Sequence, residues 1–154
     1  MDNSKETKKI VSACFAGIEC RYDGRANRVT KIQEMIKKGE AIPVCPEQLG
    51  GLSTPRLPAQ IVGGSGEDVL DGKAKVIDQA GNDVTEAFIR GAEQALQMAK
   101  LTGATEAILK ERSPSCGSCV IYDGTFEGTK KAGQGVTTAL LKRHGIRVKS
   151  EEEL

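Results

Sequence analysis

Cysteine is the reactive residue that stands out in this sequence, and three of its five cysteines occupy equivalent places in the chain. Cys14 ends the run Ile10-Val11-Ser12-Ala13, and Cys45 ends Ala41-Ile42-Pro43-Val44. Cys116 follows Ala107-Ile108-Leu109-Lys110 through a Ser113-Pro114-Ser115 turn. In an open α/β sheet, ligands bind beyond the carboxyl ends of the parallel strands. Three thiols delivered to that edge would make a soft-ligand site, and thiolates select zinc, copper(I) or iron–sulfur clusters. Structural zinc takes four closed ligands, often in paired Cys-x-x-Cys units. Here only Cys116-Gly117-Ser118-Cys119 has that spacing, and the lone His144 falls late in a helix. A cluster held by three cysteines, with one iron left open, suits the count better.

Each of these residues also has a plainer role. A single cysteine after a strand is commonly a core residue. Cys116-x-x-Cys119 has the form of a dithiol redox motif, but such a motif should open a helix that lowers the first thiol's pKa. Cys119-Val120-Ile121-Tyr122-Asp123-Gly124 instead reads as a short extended segment and a turn, so Cys119 is taken as a buried or spare thiol. Glu47, two residues after Cys45, is either a surface carboxylate or an acid/base group aimed by Pro46. Ser113 and Ser115 either make a turn around Pro114 or assist a substrate and its proton. Gly17, Gly50, Gly51 and Gly117 permit positive φ or let backbone approach a bulky ligand. The repeated Tyr-Asp-Gly at Tyr22 and Tyr122 reads first as two turns, with a pocket-framing role for the rings as the alternative.

The elements that must position these groups follow from periodicity. Residues 10–14 do not alternate and read as a strand buried on both faces. Arg25–Lys38 carries Val29, Ile32, Met35 and Ile36 at helical spacing, closed by Gly39. Residues 41–45 form a second strand, followed by an irregular stretch from Pro46 to Pro58, of a length that is usually functional. Gln60–Val62 and Ala74–Asp78 read as an inserted antiparallel pair. Asp83-Val84-Thr85-Glu86 starts a helix that runs to Leu101. Ala107–Lys110 is a third strand, Gly135–His144 a last helix, Ile146–Lys149 a final strand, and Glu151–Glu153 a solvated end. This order predicts an α/β fold: a single-domain three-layer sandwich around a mostly parallel sheet, with a small β insertion. The domain is expected over residues 10–150, after a disordered tail of residues 1–9.

Composition narrows the function. The 154 residues carry 22 basic and 21 acidic side chains, a balance without the electrostatic footprint of nucleic-acid or membrane binding. There is no Trp, which argues against a base-stacking platform for single strands. The polar start, Met1 to Lys9, lacks an apolar signal-peptide core, and no apolar run reaches membrane-spanning length. A cytoplasmic protein is expected, where cysteines bind metal or react more often than they pair.

Ser12-Ala13-Cys14 with Cys20-Arg21-Tyr22-Asp23-Gly24 resembles the opening of the 2-thiouracil desulfurase family, once a bacterial family of unknown function. The likeness continues through Pro43-Val44-Cys45-Pro46-Glu47, Gly50-Gly51-Leu52, Pro55-Arg56, Asp83-Val84-Thr85 and Gly91-Ala92. It ends with Leu109-Lys110, Ser113-Pro114-Ser115-Cys116-Gly117, Ile121-Tyr122-Asp123-Gly124 and Gly133-x-Gly135-Val136. Cys-Pro-Glu and Ser-Pro-Ser-Cys-Gly are the most specific segments. The resemblance implies a 4Fe-4S cluster held by Cys14, Cys45 and Cys116, with Cys20 in reserve and Cys119 not a ligand. It implies non-redox desulfuration of a thiolated pyrimidine base to the oxo-base and hydrosulfide, with Glu47 as acid/base and Ser113 or Ser115 assisting. A cluster or sulfur carrier that delivers to a partner is the competing reading, and a zinc or dithiol protein a third. A sulfur acceptor stays open as a partner, and the oligomeric state is not legible.

Overall fold

The computed structural model describes residues 8–154. Residues 1–7 of the expected tail lie outside the described residues, and Lys9, its last residue, already opens the first strand. Four parallel strands form the central sheet: β1 (Lys9–Ser12), β2 (Ala41–Val44), β5 (Glu106–Leu109) and β8 (Arg147–Ser150), in the order β2-β1-β5-β8. The β1-to-β2 connection runs one way across the sheet and the later ones run the other. Right-handed crossovers therefore place their helices on opposite faces. Helix α1 (Thr30–Lys37) covers one face, where Ile32 packs on Val11, Phe15 and Ile108. Helices α4 (Thr85–Thr102) and α5 (Val136–Arg143) cover the other, where Leu96, Ala99 and Leu141 pack on Ile10, Ala107 and Leu109. The fold is the expected three-layer α/β sandwich, and β1, reversing the direction of winding, marks the switch point at which such sheets bind ligands.

The expected β insertion is present as the antiparallel hairpin β3 (Ala59–Val62) and β4 (Lys75–Asp78). A second hairpin, β6 (Val120–Tyr122) with β7 (Lys130–Ala132), joins it. Ile61, Val76 and Ile121 bury themselves against Phe88 and Val136 in a core separate from the two sheet faces. Short α3 (Gly66–Leu70) closes this region, with Asp68 Oδ2 accepting the Ser65 N–H at 2.9 Å.

Three differences from the sequence reading exceed a single residue. The first strand stops at Ser12, and Ala13–Ala16 turn into a 3-10 helix ended by Gly17 at φ +96°. Helix α1 starts at Thr30 rather than Arg25, because Asn27 and Val29 donate their backbone N–H groups to the carbonyls of Cys14 and Phe15. The stretch after Cys45 is not irregular throughout, since Pro46–Leu49 form the short helix α2. Proline at the first helical position presets φ there. The glycines Gly50 and Gly91 let α2 and α4 touch backbone to backbone: a Cβ added to Gly91 would lie 1.9 Å from the Pro46 carbonyl oxygen.

Candidate active site

Three strand ends converge at the carboxyl edge of the sheet. β1 leads through the 3-10 turn to Cys14, β2 leads to Cys45 at the start of α2, and β5 leads through Lys110–Pro114 to Cys116. All three thiols line one open cavity of about 360 Å³, and Cys20 joins them there. None of the five cysteines is in a disulfide. Cys119 is exposed and lies outside the cavity. His144 is an exposed residue at the end of α5.

The four cavity thiols are electrostatically unlike. Hydrogen bonding with Cys20, buried in the loop after the 3-10 turn, pulls the pKa values of Cys14 and Cys45 down and pushes that of Cys20 up, and Cys45 Sγ also reaches the Cys20 carbonyl at 3.8 Å. Cys14 is lowered by its bond with Cys20 first. Burial opposes the shift, and a bond from Asn27 Nδ2 at 3.7 Å assists it. Cys45 comes down to about 7 through Cys20, against the cost of burial, with help from the Gln48 backbone N–H. Cys116 moves the other way: burial raises it, and the charges of Glu47 and Cys45 add to the rise. Thiols are metal ligands as thiolates. Cys14 and Cys45 thus sit on the thiolate-favouring side of Cys116.

Glu47 sits in the first turn of α2, and one of its carboxylate oxygens is fully engaged. Oε2 accepts from Arg56 Nε at 2.8 Å and lies 2.7 Å from Nη2 in an ion pair. The same guanidinium donates to the carbonyls of Cys20 and Ser53 and to Thr54 Oγ1. Arg56 is almost wholly buried, so it acts as a clamp joining the Cys20 loop to α2. Among the described residues, Glu47 Oε1 accepts only the Ser113 hydroxyl, at 3.4 Å. Ser113 Oγ in turn accepts the N–H groups of Ser115 and Cys116 at 3.1 and 3.0 Å. A hydroxyl has one proton to give, and here the geometry sends it toward the carboxylate. Ser115 points elsewhere: it is fully buried and shares a 2.7 Å bond with Thr137 Oγ1. Of the two serines, the cavity holds Ser113.

Two features were not read from the sequence. Arg56 has its partner nine residues back across a loop, a relation without periodic signal. Glu111, lining the cavity, looked like an ordinary polar residue after a strand. It is buried, and its Oε1 accepts from the backbone N–H groups of Ser118, Cys119 and Val120 while Oε2 accepts from Ser118 Oγ. It therefore shapes the loop beyond Cys116. Tyr22 and Tyr122, from the two Tyr-Asp-Gly segments, both line the cavity, so their rings frame the pocket as well as preceding turns.

Fold and site together define an α/β protein with a thiol-lined ligand cavity at its switch point and a clamped carboxylate beside the thiols. A family model described as 2-thiouracil desulfurase matches residues 10–153. The chain belongs to the 2-thiouracil desulfurase family. It is 54% identical over 145 residues to protein YbbK of Bacillus subtilis (strain 168), covering 94% of this chain and 96% of that protein. It is similar to the solved structure of the [4Fe-4S]-dependent thiouracil desulfidase TudS, at 47% identity and a TM-score of 0.85. That match covers 96% of this chain and 93% of the other.

Proposed function

We propose that this protein is a desulfurase that converts a thiolated pyrimidine base of the 2-thiouracil type to the oxo-base and hydrosulfide, using a 4Fe-4S cluster. The observation that carries the reading is the meeting of Glu47, Ser113 and the cavity thiols over one space. The donor set fits the cofactor. Four thiols line one open cavity, with Cys116 reaching it from a third strand end. Such an array suits a polynuclear iron–sulfur group. Cys14, Cys45 and Cys116 would hold it, with Cys20 as the reserve thiol. When bound, the cluster supplies a soft Lewis acid for the thiocarbonyl sulfur.

The chain's own residues supply the rest. Arg56 holds Glu47 Oε2 and leaves Oε1 as the base for a water attacking the thiocarbonyl carbon. Ser113, rather than the buried Ser115, fixes Oε1 and can pass a proton to the departing sulfur. Water's oxygen becomes the carbonyl oxygen, the C–S bond breaks, and sulfur leaves as hydrosulfide carrying one of the water's two protons, the other passing through Glu47 to solvent. No electrons are exchanged. A carrier would need the thiols but not a clamped carboxylate, and the Glu47–Arg56 pair therefore favours the enzyme. No helix of the described residues is long and apolar enough to cross a membrane. The unpaired thiols suit a reducing compartment, in keeping with a bacterial cytoplasm, and an acceptor for the released sulfur remains a natural partner.

The test is sulfide release from 2-thiouracil by anaerobically reconstituted wild-type and Glu47→Gln proteins matched in iron content. The variant should lose roughly 10²–10⁴-fold in rate with its cluster spectrum unchanged. Near-normal turnover in Glu47→Gln would remove the carboxylate from the reaction.

A further inference from the structure

Gln60, in β3, lines the same cavity as the thiols. Its Oε1 accepts the backbone N–H of Gly124 at 2.9 Å and that of Phe126 at 3.2 Å. Two donors on one oxygen settle which way the amide faces, because a flipped amide would set NH₂ against two N–H groups. The turn that supplies them is held in place. Gly124 has φ +93°, and a Cβ there would lie 2.6 Å from the Ile61 carbonyl oxygen. Nε2 is left with its protons uncommitted among the described residues. No buried side-chain nitrogen or oxygen among those residues lacks a partner, so this donor is reached by solvent, and Gln60 lines the cavity.

The other nitrogen donors around the cavity are engaged. Arg56 serves Glu47, Asn27 Nδ2 serves Cys14, Arg21 serves Asn27 and Asp23, Lys110 pairs with Glu151, and Arg112 pairs with Glu152. Among the side-chain nitrogens of the described residues that line the cavity, the Gln60 amide is the one left to meet a ligand. Its surroundings, Leu57, Pro58 and Ala59, are apolar. In such a pocket a few fixed polar groups decide orientation and specificity.

We propose that Gln60 Nε2 selects a carbonyl oxygen on the thiolated base. The preferred substrates are then heterocycles bearing an exocyclic carbonyl as well as the thiocarbonyl, over thioamide rings that lack one. The proposal rests on the desulfurase reading and names its specificity group. A neutral donor suits a neutral carbonyl, and a site built to bond an oxygen discriminates against a ring without it.

Gln60→Glu is a close test, because Glu keeps an oxygen for Gly124 and Phe126 and replaces the NH₂ donor with an acceptor. Uracil and pyrimidin-2-one, which lacks the second carbonyl, are titrated calorimetrically into cluster-loaded protein, and KM and kcat are measured with 2-thiouracil. Wild type should bind uracil more tightly by on the order of tenfold. Gln60→Glu should raise KM by a similar factor, change kcat little, and erase the preference. Equal binding of the two ligands by wild type overturns the proposal, and that comparison needs no variant to fold. So does a preference that survives in Gln60→Glu. A wild-type preference for uracil that Gln60→Glu erases, without sulfide release from 2-thiouracil, would defeat the desulfurase reading while upholding the Gln60 contact.

Discussion

Beside Cys20 the thiols of Cys14 and Cys45 are lowered while its own is raised, and the three residues become chemically distinct despite sharing a type. Residue type alone could not separate them, nor could spacing separate Ser113 from Ser115. The separation comes from partners: Glu47 Oε1 for Ser113, and Thr137 deep in the core for Ser115. The cysteine assignment has a direct consequence. Cys14→Ala, Cys45→Ala and Cys116→Ala should each fail to hold a full cluster on anaerobic reconstitution. Cys119→Ala should match wild type in iron and sulfide content, because its thiol is exposed and outside the cavity. A full cluster in Cys45→Ala would overturn the assignment.

Two elements hold these residues in place, and each rests on a small structural device. Helix α2 carries Glu47 and leans on α4 through Gly50 and Gly91, with no side chain between them. Gly91→Ala would drive a methyl group into the Pro46 carbonyl, so α2 must shift. We expect a loss of about 1–3 kcal/mol in unfolding free energy together with a fall in sulfide-release rate, as Glu47 moves off its clamp. Unchanged stability and rate would show that the contact relaxes at no cost. The loop beyond Cys116 depends on Glu111. Burial disfavours its charge, but the N–H groups of Cys119 and Val120 and the Ser118 hydroxyl outweigh that and hold its carboxyl below the usual range. A depressed folded pKa stabilises above the ordinary carboxylate range and is lost as pH falls through the folded value. Urea unfolding followed from neutral to acid pH should therefore show Glu111→Gln less stable at neutral pH by about 1–3 kcal/mol. Its stability should also fall less steeply on acidification than that of wild type. Parallel pH profiles would dismiss the carboxylate as the source.

For the molecule as a whole, the sheet is what made the site readable in advance. Buried parallel strands are written as unbroken apolar runs, so Ile10–Val11, Ala41–Val44 and Ala107–Leu109 announce themselves and point at the cysteines that follow. The parts that stayed hidden lack periodicity. Helix α2 is a single turn too short to show a face, and Lys130-Lys131-Ala132 is a strand by pairing rather than by composition. Arg56 and Glu111 are polar residues whose partners only the fold brings near. The enzyme reading needs all of these parts at once: thiols from three strand ends, a base on α2, a hydroxyl beside it and an open cavity. The measurement that bears on it most directly is hydrosulfide release from 2-thiouracil under anaerobic conditions, by wild-type protein loaded with cluster to graded extents. The account predicts turnover in proportion to [4Fe-4S] content, uracil as product, and none from the cluster-free protein. Equal rates without the cluster, or a fully loaded protein that releases no sulfide from any thiolated base, would contradict it.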